Sequence, residues 1–376
     1  MSKKTMIIIG CSFIGLIVLI LVILWLMTLF RTTYYSYEKV EEKIVDATKK
    51  YFSDHPESLP TADGKYNLSY DVLVNGLYIA PLSELLKDGA SCTANVIINK
   101  NDVDYTYIPK LDCGDNYSSI ELYRQILNDN QIVTSGSGLY REIDGSYYFK
   151  GKVTNNYFVL GTNESNKDKE FVWQILGINK DNTVKIRAVK STEASSVYDN
   201  RYNINKGTKT GYNTFEDSVM KDFLKGLEKN NKYFTAEEQS KLVPKQLCIG
   251  ARSDKETINN GNVECSAYSI DKYLFGTLLP YEFLRASLDT NCKTVTDRSC
   301  ENLNYLANQS SSEWSTTANS DSTHQLYAFY GTYYSLSSAD NPKTLHLVAN
   351  LNEFTFYKSG TGTLEDPYRV TKAKKH

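Results

Sequence analysis

Phe171-Val172-Trp173-Gln174-Ile175-Leu176, then Lys180-Asp181-Asn182, then Thr183-Val184-Lys185-Ile186-Arg187 is the stretch that decides the fold. β-Branched and aromatic residues fill both arms, and the Asp-Asn tip between them reads as a hairpin turn. On the first arm Phe171, Trp173 and Ile175 share one face, and Val172 and Leu176 share the other. A strand apolar on both faces belongs inside a sheet that is covered on both sides. Strand-like runs surround it: Tyr147-Tyr148-Phe149 and Tyr157-Phe158-Val159-Leu160 before it, and residues 325–330, 344–349, 354–358 and 368–370 after it. Helical signals interrupt the strands. Asn213-Thr214-Phe215-Glu216 is placed to cap a helix running through Phe223 and Leu227, and Thr235-Ala236-Glu237-Glu238 repeats the pattern before Pro244. Pro280 suits the first turn of a third helix, with Tyr281, Leu284 and Leu288 along one face.

At the other end of the chain, residues 6–30 are apolar and carry no charge. As a helix they would cover roughly 37 Å, enough to cross a hydrocarbon core with some tilt. The run passes into Leu29-Phe30-Arg31-Thr32-Thr33-Tyr34 without a small-x-small cleavage site. The expectation is an uncleaved transmembrane helix that puts the chain in a lipid bilayer. Lys3 and Lys4 favour a cytoplasmic residue 1–5 tail, but Arg31, Lys39 and Lys43 follow on the far side, so charge does not decide the orientation.

Cysteines are the better guide. Of the seven, Cys11 lies in the apolar run, leaving Cys92, Cys113, Cys248, Cys265, Cys292 and Cys300. An even set outside the membrane suits an oxidising compartment, and so an extracytoplasmic bulk. Residues 94–100 and 105–109 read as two strands around Asn101-Asp102-Val103-Asp104. With that loop Lys100 faces Tyr105, and the same register sets Cys92 opposite Cys113. Cys248–Cys265 and Cys292–Cys300 follow as nearest neighbours. Zinc is the competing reading, but there is no C-x-x-C pair and no adjacent histidine.

After the apolar run, Tyr37, Val40, Ile44, Ala47 and Tyr51 recur at helical spacing until Asp54-His55-Pro56 stops them. A second short helix runs through Pro81-Leu82-Ser83-Glu84-Leu85-Leu86. Long apolar N-terminus, amphipathic continuation and a small disulfide-closed sheet over 31–114 resemble a type IV pilin. Pilins carry a glycine before the processed helix and a glutamate at the fifth mature position. With Gly10 in the first role the fifth residue is Gly15, so processing and filament assembly are not implied.

Residues 115–138 read as a connector, with Ser135-Gly136-Ser137-Gly138 its most flexible point, and 373–376 as a tail. Between them, 139–372 resemble uncharacterised bacterial extracytoplasmic domains of C-type-lectin-like, formylglycine-generating-enzyme-like outline. The residues carrying this are Tyr148-Phe149-Lys150-Gly151, Asn155-Asn156-Tyr157, Val172-Trp173-Gln174-Ile175-Leu176-Gly177, Leu279-Pro280-Tyr281-Glu282-Phe283-Leu284, Glu313-Trp314-Ser315-Thr316 and Asp366-Pro367-Tyr368. The expected fold class is thus α+β: an N-terminal transmembrane helix, a small pilin-like α+β module and a C-type-lectin-like α+β domain.

The net charge of −2 implies no nucleic-acid partner. Four histidines, His55, His324, His346 and His376, stand at no recognisable nucleophile motif, so no catalytic set and no cofactor is expected. Gly360-Thr361-Gly362-Thr363 lacks the continuation of a phosphate loop and reads as a tight turn. Asn319 and Asp321 could offer hard oxygen ligands to calcium, although a loop capping a sheet explains them as well. Trp314, Tyr327, Tyr330, Tyr333 and Tyr334 are the candidates for a ligand surface, against the plainer reading of strand residues packed half inward. These features point to a non-catalytic binding or adhesion protein with a glycan or protein ligand. The alternatives are an extracytoplasmic enzyme acting on cell-wall glycan or protein, and a minor pseudopilin-like component of an envelope assembly.

Overall fold

The computed structural model describes residues 34–101, 104–163, 166–190, 193–230, 233–307 and 312–371, which form two compact units meeting in sequence between Ser119 and Ile120. The fold is α+β with strand predominating. This corrects the expected fold class, which included an N-terminal transmembrane helix. Among the described residues no helix is long and apolar enough to cross a membrane, and residues 6–30 lie outside the described residues. The longest described helix, α1 (Tyr37–Asp54), carries nine charged residues and is amphipathic.

In the first unit Ser36 caps α1 by accepting the Lys39 N–H, and the chain leaves the helix at His55 before Pro56. Val40, Ile44, Val45, Ala47 and Phe52 of α1 are buried, whereas the expected face-sharers Tyr37 and Tyr51 are only half so. Two short helices follow, α2 (Tyr70–Asn75) and α3 (Leu82–Leu85). The helical side packs on an antiparallel sheet of β1 (Gly64–Ser69), β2 (Thr93–Asn101) and β3 (Asp104–Asp112). Lys100 pairs with Tyr105 and Thr93 with Asp112, the expected register, and the Cys92–Cys113 disulfide closes the open end.

The second unit begins inside the expected connector. Residues 122–129 are not linker but a helix, α4 (Leu122–Asp129), and Leu122 and Ile126 are wholly buried in the larger core. Leu122, Tyr123, Ile126 and Leu127 are spaced as one helix face, a local pattern that the sequence reading passed over. The principal sheet comprises β4 (Gly138–Arg141), β5 (Tyr147–Lys150), β6 (Tyr157–Asn163), β7 (Asn166–Ile178), β8 (Val184–Ala188), β12 (Phe275–Gly276) and β17 (Val348–Leu351); the intervening strands are placed below. Its order is β12-β17-β8-β7-β5-β4, with β6 also on β7. The opening hairpin is its centre: β7 pairs with β8, and Trp173 and Ile175 are fully buried.

A second sheet has the order β15-β14-β13-β16-β9, from β9 (Glu193–Ser196), β13 (Glu313–Ala318), β14 (Gln325–Phe329), β15 (Tyr334–Ser338) and β16 (Lys343–Leu345). Residues 344–349 are therefore not one strand. The chain passes from β16 to β17 between the two sheets, and His346 at the crossing bonds Ala188 O through Nδ1. Two small ribbons complete the unit: β10 (Lys245–Cys248) with β11 (Tyr268–Tyr273), and β18 (Phe356–Ser359) with β19 (Arg369–Thr371).

Helices α5 (Val219–Asn230), α6 (Ala236–Gln239) and α7 (Pro280–Ala286) lie between strands. Thr235 and Glu238 form the expected capping box. Asn213 does not start α5. Its Nδ2 is taken by the carbonyls of Asn319, Ser322 and Gln325, and Ser218 accepts the Lys221 N–H instead.

Candidate functional site

Strand β8 alternates between two environments. Val184, Ile186 and Ala188 enter the core on one face, and Lys185 and Arg187 lie on the other. A basic pair on a central strand has to find partners, because a buried charge is costly unless paired and hydrogen-bonded.

Lys185 finds its partner on α7. Pro280 opens that helix, Glu282 Oε2 accepts the Leu279 N–H, and Glu282 Oε1 lies 2.5 Å from Lys185 Nζ. Burial disfavours the Lys185 ammonium, but Glu282 and Tyr281 outweigh it and hold its pKa above the ordinary lysine value. One turn along, the Arg285 guanidinium lies 4.7 Å from the centre of the Tyr148 ring and 5.0 Å from that of Tyr281. Burial likewise works against its charge, and Tyr281 and Glu282 more than compensate. The Tyr281 hydroxyl is pushed up, chiefly by burial and then by Glu282.

Lys185, Tyr281 and Arg285 line a cavity of about 590 Å³, within the range of small-molecule sites. Amides (Asn179, Gln246, Asn262, Asn350) and tyrosines (Tyr147, Tyr281) contribute much of its polar wall. Asp181 and Asp144 stand at the rim. Burial would raise the Asp181 pKa, but its ion pair with Lys245 and the bonds from Thr183 hold it low. Asp144 is held low by the hydroxyl and N–H of Ser146.

Two devices fix the cavity's shape. At Gly177, where β7 bulges against β8 and pairs on its other side with β5, a Cβ would sit 2.1 Å from the Tyr147 carbonyl oxygen, so only glycine allows that approach. On the opposite wall the Cys248–Cys265 disulfide closes a loop that folds back against the cavity. Inside that loop the fully buried Arg252 forks onto Glu264 at 2.8 and 3.2 Å. Glu264 Oε1 also accepts the Tyr281 N–H at 3.0 Å. The loop is thereby fastened to the start of α7, which carries both Tyr281 and Arg285.

Arg187 pairs with Glu313 away from the cavity lining, and both are buried. Arg187 Nε and Nη1, Glu313 Oε2 and His346 Nε2 have no hydrogen-bond partner among the described residues. The His346 pKa is lowered, by burial first, against the pull of Glu313.

The sequence-based candidates lie elsewhere. Trp314, Tyr327 and Tyr334 are buried, each with its polar atom on a carbonyl, of Ser196, Arg252 and Leu278 respectively. They form core, which corrects their place on a ligand surface: a tyrosine with a carbonyl in reach can bury its hydroxyl. Tyr330 and Tyr333 remain half-buried and stack at 5.4 Å, with Arg298 over Tyr333. Asn319 Oδ1 is committed to the Asp321 N–H, and the Asp321 carboxylate accepts from Ser253 and Ser320, so the two residues shape a turn. The cysteines stand as the paired bridges expected, with Cys292–Cys300 the third. Asp88 lies close to Cys92 and Cys113, but their sulfurs are bonded to each other.

The cavity residues were missed by sequence reasoning. Their one signal was Lys185 and Arg187 alternating in an otherwise apolar strand. No family model, curated protein or solved structure matches this chain.

Proposed function

We propose that this chain is an extracytoplasmic, disulfide-bonded binding protein that takes a saccharide in the cavity beside α7. The observation that carries the reading is the cavity's lining, which combines amide groups and tyrosine rings with paired charges. A sugar ring presents hydroxyls that both donate and accept, together with apolar C–H faces, and amides and tyrosines match both kinds of surface. Binding is favoured over catalysis by the state of the acids. A general acid at neutral pH needs a raised pKa, whereas Asp144 and Asp181 are both held low and are engaged by neighbouring donors. The three disulfides suit an oxidising compartment. Association with a lipid bilayer through the apolar residues 6–30 belongs to the same proposal, as does the resemblance of residues 139–372 to lectin-like domains.

The test is a glycan array probed with the full chain, disulfides intact, in mild detergent. Selective binding that Asn350→Ala and Tyr281→Ala both weaken is the expected result. Uniform failure to bind any saccharide, by a protein with its normal melting transition, overturns the reading.

A further inference from the structure

The cavity holds one strong donor group that the protein itself does not use. Arg285 makes ring contacts with Tyr148 and Tyr281, yet its guanidinium has no hydrogen bond or ion pair to any described residue. Of the other cavity cations, Lys185 is engaged by Glu282 and Lys245 by Asp181, while Lys180 stands on the exposed turn in water. Buried Arg187 and Arg252, by contrast, each bind a glutamate. Three residues before Arg285 on the same helix, Glu282 might have served it, but both its oxygens are committed, to Lys185 and to the Leu279 N–H. Glu142 at the rim acts on Arg285 through space without contacting it. Ring contacts satisfy the charge while leaving the N–H donors free, and a planar fork of donors is the geometry that a carboxylate fits.

We propose that Arg285 is the carboxylate-binding residue of this cavity, and that the saccharide it takes is an acidic one, of the uronic-acid type. This rests on the saccharide-binding reading above and narrows it to a ligand class. The carboxylate would pair with Arg285, with the side chains of Asn262 and Tyr281 left to meet the ring hydroxyls, since Asn179, Asn350 and Gln246 already bond within the protein.

The experiment is isothermal titration of the full, oxidised chain with three probes: trigalacturonic acid, a hyaluronan tetrasaccharide and a muramic-acid disaccharide. Each is paired with its carboxyl methyl ester. At least one acid should bind about tenfold to a hundredfold more tightly than its ester, as loss of a charge-assisted fork predicts. Arg285→Gln should remove that preference, and Arg285→Lys should keep part of it. Melting temperature and disulfide content, unchanged in both variants, separate this from misfolding; if Arg285→Gln does not fold, the Lys variant and the acid-to-ester ratio carry the test. Equal binding of acid and ester overturns the carboxylate assignment and leaves the cavity reading standing. No binding of any probe in either form overturns the acidic-saccharide assignment, and the glycan array then decides the cavity reading.

Discussion

Removing one partner of the buried Arg187–Glu313 pair should strongly destabilise the second unit. The two side chains are 0% and 1% exposed, so neither charge can recover water when the other is lost. In Glu313→Leu the Arg187 guanidinium stays buried with Nε and Nη1 already unpartnered, and only the Phe329 ring, 5.8 Å away, remains to attract it. Breaking a buried pair in this way costs about 3–5 kcal/mol. The Phe329 contact is present in the parent as well and so offsets none of that. The expected loss is therefore about 3–5 kcal/mol, or roughly 6–20 °C in melting temperature for a unit of this size. Scanning calorimetry measures it, and the transition of the first unit, which the substitution does not touch, serves as the internal reference. The double variant Arg187→Met/Glu313→Leu removes both charges and should recover most of the loss, because an apolar pair of similar volume avoids the desolvation cost. The reasoning is refuted if Glu313→Leu melts within 1 °C of the parent, or if the double variant is as unstable as the two single losses combined.

Replacing Cys92 and Cys113 together by alanine releases a loop with a sequence separation of 21 and should lower the stability of the first unit by about 3 kcal/mol, read in urea titration; an unchanged midpoint counts against the disulfide as a stabilising element. Gly177→Val should cost about 1–3 kcal/mol and reduce ligand binding, since its Cβ collides with the Tyr147 carbonyl; a variant as stable as the parent contradicts the close approach. His346 is held neutral, with its pKa below the ordinary 6.5, so below that pH the unfolded chain takes up a proton that the folded chain does not. Stability is then complete above pH 6.5 and falls as pH drops toward the folded pKa. His324, also lowered by burial, adds in the same direction, and His346→Gln should flatten part of the slope. A slope identical to the parent's assigns the whole effect to other groups.

The chain's local elements were legible because each leaves a local mark. The two-sided apolar run at 171–176 is the central strand, the spacing of Val40, Ile44 and Ala47 is a helix face, and loop length with strand register brings Cys92 to Cys113. Polar positions behaved differently. Trp314, Tyr327 and Tyr334 have the composition of a binding surface, yet burial was decided by carbonyls contributed from residues up to 118 positions away. Helix α4 was legible too, in the i, i+1, i+4, i+5 spacing of Leu122, Tyr123, Ile126 and Leu127, but its shortness let it pass for a connector. The cavity belongs to tertiary structure: Lys185 lies far in sequence from the stretch that runs from the Cys248–Cys265 loop to Tyr281 and Arg285, and the two meet only after the sheet forms. Periodicity and register are short-range properties that a sequence states directly. Which charges are paired, and which donors are left free, depends on three-dimensional neighbours, and the fold alone supplies those.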